Sequence, residues 1–410
     1  MLKRIGIENY RSCLRTSIEL ETNLSVLIGP NGSGKTNILQ AIMFLNKMAQ
    51  EDRYAAAERD TITASPRIKA VFQQSHIQTK LSASLDAYTD ESNNDVIKGS
   101  HQKWAFKYQN GKQESLELPL AFVGSIVHGQ IPLFDIRRRQ AIPRRLMRTA
   151  IDISESAGRA LTNVSRFCRG IRYYGASQFT NPGSSPVSFE IEQEGSSTRL
   201  YRLRGHARLL YDMYSARESG STERYAQFID IVGPKGLRLI DGLTFRKVPT
   251  SSIDYSVRVG GKLEVRRRRK LLVIPQFRIG KQRLSPNQLS EGTFKTLALL
   301  FHVITADSTA LLIEEPEVCV HHGLLSSILE LIKTYSQRKM MILSTHSDYV
   351  LDHVSPENVF LVRFARSGGT VARQISKTMT VKEFSALREY LRQEGNLGEY
   401  WREGGLGDRP

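Results

Sequence analysis

The chain has 410 residues, a length that suits two or three average domains or one large core with insertions. Its 58 Lys and Arg outnumber 41 Asp and Glu, a formal charge of +17 that favours a polyanionic partner such as DNA or RNA. Three cysteines, Cys13, Cys168 and Cys319, and nine histidines stand in no zinc or disulfide spacing, and no apolar run approaches the roughly 20 residues of a membrane span. These features argue against a secreted, zinc-held or membrane-spanning protein and for a cytoplasmic one.

Leu2 to Glu8 alternates apolar and polar residues and leads into Asn9-Tyr10-Arg11-Ser12; Ile18 to Leu20 reads as a second short strand. The apolar run Leu24 to Ile28 is followed by Gly29-Pro30-Asn31-Gly32-Ser33-Gly34-Lys35-Thr36 and then by a helical pattern from Asn37 to about Met48. Strand, glycine-rich turn and helix is the context of a nucleotide P-loop. Glycines let successive backbone N–H groups turn inward around a phosphate chain, and the helix N-terminus adds positive potential. Asn31, Gly32, Ser33, Gly34 and Asn37 are expected to complete the cradle, with Lys35 reaching the β- and γ-phosphates of ATP and Thr36 ligating Mg2+.

Residues 67–118 read as an antiparallel meander, with a polar turn at Asn110-Gly111. From about Ile136 to Cys168 the pattern is helical and basic, with six arginines between Arg137 and Arg148; a solvated helix face and a surface for nucleic acid or a partner are both open. Ile171 to Tyr174 looks like a strand, Ser177 to Pro186 like a polar loop, and helical spacing resumes at His206 to Tyr214 and Glu223 to Val232. Strands are expected at Leu237 to Leu243 and Ser252 to Val259. The run Arg266-Arg267-Arg268-Arg269-Lys270 suits a phosphate-tracking edge or a charged hairpin end. There is no internal repeat and no long heptad run.

Thr309 to Ile313 is a buried-strand pattern ending in Glu314 and Glu315, which sets two acids at the C-terminal edge of a sheet. Glu314 is expected to serve the magnesium shell and Glu315 to polarise the attacking water. Met341 to Thr345 is a second such strand, followed by His346, a residue able to hydrogen-bond a γ-phosphate or the water. Leu289-Ser290-Glu291-Gly292-Thr293 opens another helical pattern, and a serine at a helix start is an anion-binding end.

GPNGSGKT, LSEGT, LLIEEPE and STHS, in this order and with IENYRSC at the start, resemble the ABC-type ATPase head of the RecF/SMC and OLD-like ATPases. The resemblance covers about residues 1–50 and 280–363. It implies an α/β fold: an ABC-ATPase head with a mixed sheet around the P-loop, an antiparallel β subdomain and a helical lobe insertion. The expected division is an N-terminal lobe at 1–120, a helical and basic insertion with connecting strands at 121–280, a C-terminal lobe at 281–365 and a terminal strand, helix and tail at 366–410.

The resemblance further implies a homodimer or higher oligomer of heads, with Ser290 and Gly292 acting on ATP bound by the partner. The sequence departs from the transporter-type pattern at Glu291, where glycine is usual, and at Glu314, where aspartate is usual. The glutamine that would link magnesium to the helical lobe is assigned to Gln178, with Gln73 and Gln74 as rivals. OLD enzymes continue into an acid-rich nuclease domain, for which the residues after Arg363 are expected to be too few. By analogy the chain is expected to be an ATP-driven switch, the ATPase subunit of a prokaryotic antiphage system with a separate nuclease or toxin as effector. The alternative is a RecF-like DNA-repair loader; a nuclease built into the middle region finds few clustered acids there.

Overall fold

The computed structural model describes residues 1–49, 66–74, 76–89, 95–119, 134–135, 140–141, 154–192, 203–218, 222–257, 263–305, 307–318, 320–366, 368–393 and 395–406. The chain divides into two units, one formed by 1–173, 307–315 and 332–410, the other by 174–306 and 316–331.

The first unit holds two sheets. One is antiparallel, in the order β2 (Cys13–Glu19), β1 (Leu2–Tyr10), β4 (Arg67–Gln74), β5 (Ile77–Thr89), β6 (Asp95–Tyr108) and β7 (Gln113–Pro119). The alternation read at the N-terminus is explained by β1, whose Leu2, Ile5 and Ile7 are buried while Arg4 and Glu8 face outward or to the margin. The other sheet is mixed, in the order β10 (Ile171–Gly175), β15 (Ala310–Glu314), β16 (Met340–Thr345), β3 (Leu24–Ile28), β17 (Val359–Phe364) and β18 (Thr370–Gln374). The pairs β15/β16, β16/β3 and β3/β17 are parallel, and β17/β18 is antiparallel. β3 and β16 are buried along their whole length, which is why their sequences are mostly apolar, broken only by the small hydroxyl residues Ser25, Ser344 and Thr345, with no period of two.

Helix α1 (Lys35–Ala49) starts at the P-loop and packs on both sheets, against β15 and β16 on one and β1 and β4 on the other. Burial on more than one side accounts for its apolar content: Ile38, Leu39, Ala41, Ile42, Phe44 and Leu45 are all buried, a pattern too wide for a single amphipathic stripe. Helix α2 (Glu155–Arg169) packs against α1, and the buried Asn46 amide of α1 donates to the carbonyls of Cys168 (3.0 Å) and Arg169 (2.9 Å) at its end. The Cys168 thiol in this contact is pushed up to about 12 by burial, so it stays a neutral packing group.

The second unit combines a four-stranded sheet, β11 (Phe189–Glu192), β13 (Leu263–Ile279) and β12 (Gly242–Val257) with β14 (Gln282–Leu284) on β13, and helices α3 (Gly205–Glu218), α4 (Thr222–Val232) and α5 (Glu291–Ile304). Its core is aromatic: Phe228 meets Phe301 edge-on at 5.4 Å, and Phe179 lies within 6.3 Å of Phe294. The architecture is thus α/β, with a mixed sheet around the P-loop, an antiparallel β subdomain and a helical lobe, as the sequence leads one to expect.

Two local expectations are corrected. Leu237 to Asp241 is a hydrogen-bonded turn rather than a strand, since the amides of Leu237, Leu239 and Ile240 fold back on the carbonyls of Ile231 and Val232 at the end of α4. Gln140–Ala141 (β9) pairs with Phe134–Asp135 (β8) where a helix is expected; residues 142–153 lie outside the described residues, and Glu155–Arg169 is helical behind its Ser154 cap, as expected. The arginines from Arg137 to Arg148 lie outside the described residues. Arg266 to Lys270 lie on β13 near the end of the β12/β13 hairpin, in keeping with a charged hairpin end; all five pair with β12, and Lys270, which also pairs with β11, is held by Glu190 at 2.8 Å.

Candidate nucleotide site

The P-loop leaves β3 at Gly29 and enters α1 at Lys35, and its backbone is one that glycine alone fits. Gly34 has φ +100°, and a Cβ there would stand 2.0 Å from Thr370 Oγ1 and 2.8 Å from Ser12 Oγ. The two hydroxyls that crowd Gly34 also brace the loop. Thr370 Oγ1 donates to the Ser33 carbonyl (3.0 Å) and lies 2.7 Å from Ser12 Oγ, which accepts from the Asn37 amide (2.6 Å). Ser12 belongs to the IENYRSC segment and Thr370 to β18, so residues from both ends of the sequence fix the loop. Nothing in the pattern around Gly368-Gly369-Thr370 links Thr370 to residue 34; the contact arises because β18 lies beside β2 in the fold, with the Thr370 amide donating to the Ser12 carbonyl (2.7 Å).

Lys35 is buried, and its ammonium donates to the carbonyls of Gly29 (2.6 Å) and Pro30 (3.1 Å). Those loop carbonyls hold the cation over the turn. Ser33 Oγ is buried without a hydrogen-bond partner in the protein, an orphaned donor of the kind a phosphate oxygen satisfies. Gly32 (φ +76°) and the exposed Asn31 lie at the tip of the turn.

Thr36 and Glu314, 278 residues apart, meet at the C-terminal ends of β3 and β15: the Thr36 hydroxyl donates to Glu314 Oε1. The other carboxylate oxygen, Oε2, accepts from the Tyr173 hydroxyl on the neighbouring strand β10. Burial, then the Glu314 carboxylate, pushes the Tyr173 phenol well above its ordinary range, so it remains protonated and a donor. Among the described residues no cluster of three or more His, Cys, Asp or Glu could hold a metal ion. One hydroxyl and one carboxylate form an all-oxygen set that suits Mg2+, which is ordinarily held by one or two protein oxygens together with substrate phosphates and water.

Glu315 follows directly in a left-handed conformation, φ +49°, its amide donating to the Ser344 carbonyl (2.8 Å). A left-handed non-glycine residue costs on the order of 1 kcal/mol or more and persists where surrounding structure holds it. Here it turns the second acid away from the first and toward the next loop: His346 Nδ1 is 3.7 Å from Glu315 Oε1, both side chains half-exposed. His346 itself stands in a turn closed by the Ser347 amide donating to Thr345 Oγ1 (2.9 Å).

The other candidate residues lie elsewhere. Ser290 caps α5 in the second unit, its exposed hydroxyl accepting from the Thr293 amide (3.2 Å) and donating to Thr293 Oγ1 (2.8 Å); Gly292 is in the first turn. Glu291 pairs with the buried Lys295 one turn on, at 2.7 Å, which neutralises an acid otherwise at odds with anion binding. Gln178 is exposed on a short 3-10 turn, 176–179, of the second unit. In the first unit, Gln74 donates to the Ala160 carbonyl (3.1 Å), and Gln73 pairs through its backbone with Met1.

Residues 1–128 match the family model described as AAA ATPase domain, and residues 238–352 match the one described as AAA domain, putative AbiEii toxin, Type IV TA system. Among curated proteins, the DNA double-strand break repair Rad50 ATPase of Methanopyrus kandleri is 52% identical over 42 residues, 10% of this chain and 5% of that protein. The DNA replication and repair protein RecF of Pediococcus pentosaceus is 32% identical over 89 residues, 21% of this chain and 23% of that protein. The chromosome partition protein Smc of Methanocaldococcus jannaschii is 39% identical over 44 residues, 11% of this chain and 4% of that protein. The chain therefore spans less than a quarter of the length of these relatives. Among solved structures, an Smc head bound to the C-terminal winged-helix domain of ScpA aligns with 92% of this chain and 99% of its own at 13% identity and a TM-score of 0.44. The Thermotoga maritima SMC head aligns over 91% and 98% at 12% identity and a TM-score of 0.37. Two segments of the chain thus match AAA-type ATPase domain models, short stretches are similar to RecF, Smc and Rad50, and ATP hydrolysis is the activity these matches support.

Proposed function

We propose that this chain is an ATP-driven molecular switch that hydrolyses ATP at Lys35, Thr36, Glu314, Glu315 and His346 and closes as a dimer of heads around the nucleotide. The observation that carries the reading is the meeting of Thr36 with Glu314 at the strand ends, with Glu315 turned to His346 beside them.

In this reading Lys35 exchanges the Gly29 and Pro30 carbonyls for the β- and γ-phosphate oxygens, and the P-loop amides and Ser33 hydroxyl take the remaining phosphate contacts. Thr36 and Glu314 would hold Mg2+, which would supply charge neutralisation at the phosphates. Glu315 orients the water that forms the new P–O bond as the bond to the ADP oxygen breaks; the proton passes to the carboxylate and on to phosphate. His346 senses the γ-phosphate and steadies Glu315. Ser290 and Gly292, at the exposed N-terminus of α5, contact the γ-phosphate of ATP bound to the partner head, and Gln178 links the helical lobe to the metal site.

Closure and reopening are proposed to act on nucleic acid and on a separate effector protein. The net charge of +17 and the RecF, Smc and Rad50 relatives support a nucleic-acid partner. The match to a family described as putative AbiEii toxin, Type IV TA system, supports a defence role with a nuclease or toxin under ATPase control. If nucleic acid is bound, affinity for duplex DNA falls steeply with salt and neutralising Arg266 to Arg269 flattens the slope. Absence of binding at low salt, with and without ATP, assigns the charge to a protein partner.

Subunit complementation tests the shared site. Lys35→Ala and Ser290→Arg are each expected to be inactive, and mixing them leaves one site with both lesions and one intact. With exchange verified by differently tagged subunits, the mixture regains ATPase activity that neither variant has. Activity at the sum of the two variants contradicts sharing, as does a fully active Ser290→Arg.

A further inference from the structure

The proposed metal-side acid is a glutamate, one methylene longer than aspartate, with one more rotatable bond between backbone and carboxylate. A carboxylate on a longer arm needs a second anchor to present one oxygen reproducibly. From the geometry around Glu314 we infer that Tyr173 is that anchor, a positioning residue that fixes the Glu314 carboxylate so that Thr36 and the metal meet one defined oxygen.

Both carboxylate oxygens are used: Oε1 accepts from Thr36 and Oε2 from Tyr173. The Thr36 hydroxyl has a single hydrogen and two lone pairs, so giving the hydrogen to Glu314 leaves its lone pairs for a cation. Tyr173 is itself held, since the Gln40 side chain, one turn into α1, hydrogen-bonds the same phenol. The result is a chain of contacts, Gln40 to Tyr173 to Glu314 to Thr36, that begins and ends on α1 and ties it to β10 and β15. Neighbouring Tyr174 points the other way along the strand and donates to the Lys295 carbonyl (3.2 Å), so of the two adjacent tyrosines only Tyr173 serves this acid. An outer partner of this kind orients a ligating group, and its loss typically costs roughly 10- to 100-fold in metal affinity.

The inference rests on the nucleotide-site reading, and the test separates the two. Tyr173→Phe keeps the ring and removes the hydroxyl. Binding of a fluorescent ATP analogue is measured in EDTA and with Mn2+ titrated in, and bound Mn2+ is followed by electron paramagnetic resonance. In EDTA the variant should bind nucleotide within about twofold of the parent, while the Mn2+ concentration for half-saturation rises roughly tenfold or more. In a Glu314→Asp background, whose shorter side chain no longer reaches the phenol, Tyr173→Phe should change nothing further, a non-additivity that reports direct coupling. Unchanged Mn2+ dependence in Tyr173→Phe overturns the inference, even if the variant melts earlier. An equal loss in both backgrounds overturns it as well. A parent protein that binds no nucleotide removes the site reading itself.

Discussion

Two helix N-termini carry the proposed phosphate chemistry, and they are built in opposite ways. At α1 the loop is over-determined: Gly34 has no space for a Cβ, Thr370 and Ser12 brace the turn, and Lys35 is already folded over its carbonyls. At α5 the end is spare: Ser290 is exposed, and its hydroxyl bonds Thr293 of its own first turn. The first is shaped before nucleotide arrives and the second presents a cap that any anion could meet. Preorganisation therefore resides in the P-loop unit, and changes at the two ends should separate into effects on folding and effects on turnover.

The largest effect expected from that contrast is at Gly34. Gly34→Ala forces a methyl group into Thr370 and Ser12 in a backbone conformation alanine rarely adopts, and should cost several kcal/mol, roughly 2 to 4, with loss of nucleotide binding. Ser290→Arg, by comparison, should lower stability by only about 1 kcal/mol, the usual worth of a cap, while abolishing turnover. Thermal melts of the two variants beside their ATPase rates check the pair; similar melting losses would erase the distinction between the two ends.

The smallest expected effect lies in the same unit, away from the nucleotide. The Glu114 carboxyl on β7 is held down to about 2, chiefly by the Ser154 amide at the start of α2, with Lys112 at 3.0 Å adding to it. A carboxyl lowered by folding contributes stability above its ordinary value of 4.5 that is lost as pH falls through about 4.5 toward 2. Glu114→Gln should therefore lower the melting temperature at pH 7, where the carboxylate's contacts with the Ser154 amide and Lys112 are fully present, and flatten the acid-side fall over that window, parent and variant converging toward pH 2. An unchanged acid limb would separate Glu114 from the docking of α2.

What the sequence makes legible is local chemistry. Gly29 to Thr36 declares a turn between strand and helix because the needed φ values exclude other residues, and Glu314-Glu315 after four apolar residues declares a strand end. Tyr173, Ser12 and Thr370 are not legible in this way, since each works through a residue distant in sequence that the fold brings beside it, and a tyrosine in an apolar strand looks like packing. The expected strand at Leu237 to Leu243 differs because Leu237 and Leu239 alternate with Arg238 as in a strand, while the amides of Leu237, Leu239 and Ile240 close the end of α4. The two-residue strand at Gln140–Ala141 lies in a basic segment whose composition suits a helix. Adjacent acids also look equivalent on paper; only the left-handed backbone of Glu315 separates the one at Thr36 from the one at His346.

That separation of the two acids is the centre of the account, and rapid-quench single-turnover hydrolysis beside equilibrium ATP binding tests it most directly. Glu315→Gln should bind ATP with Mg2+ as the parent does and hydrolyse it roughly 100-fold or more slowly, whereas Lys35→Ala should lose the binding itself. Glu315→Gln with parental hydrolysis, or with binding lost as in Lys35→Ala, would contradict it.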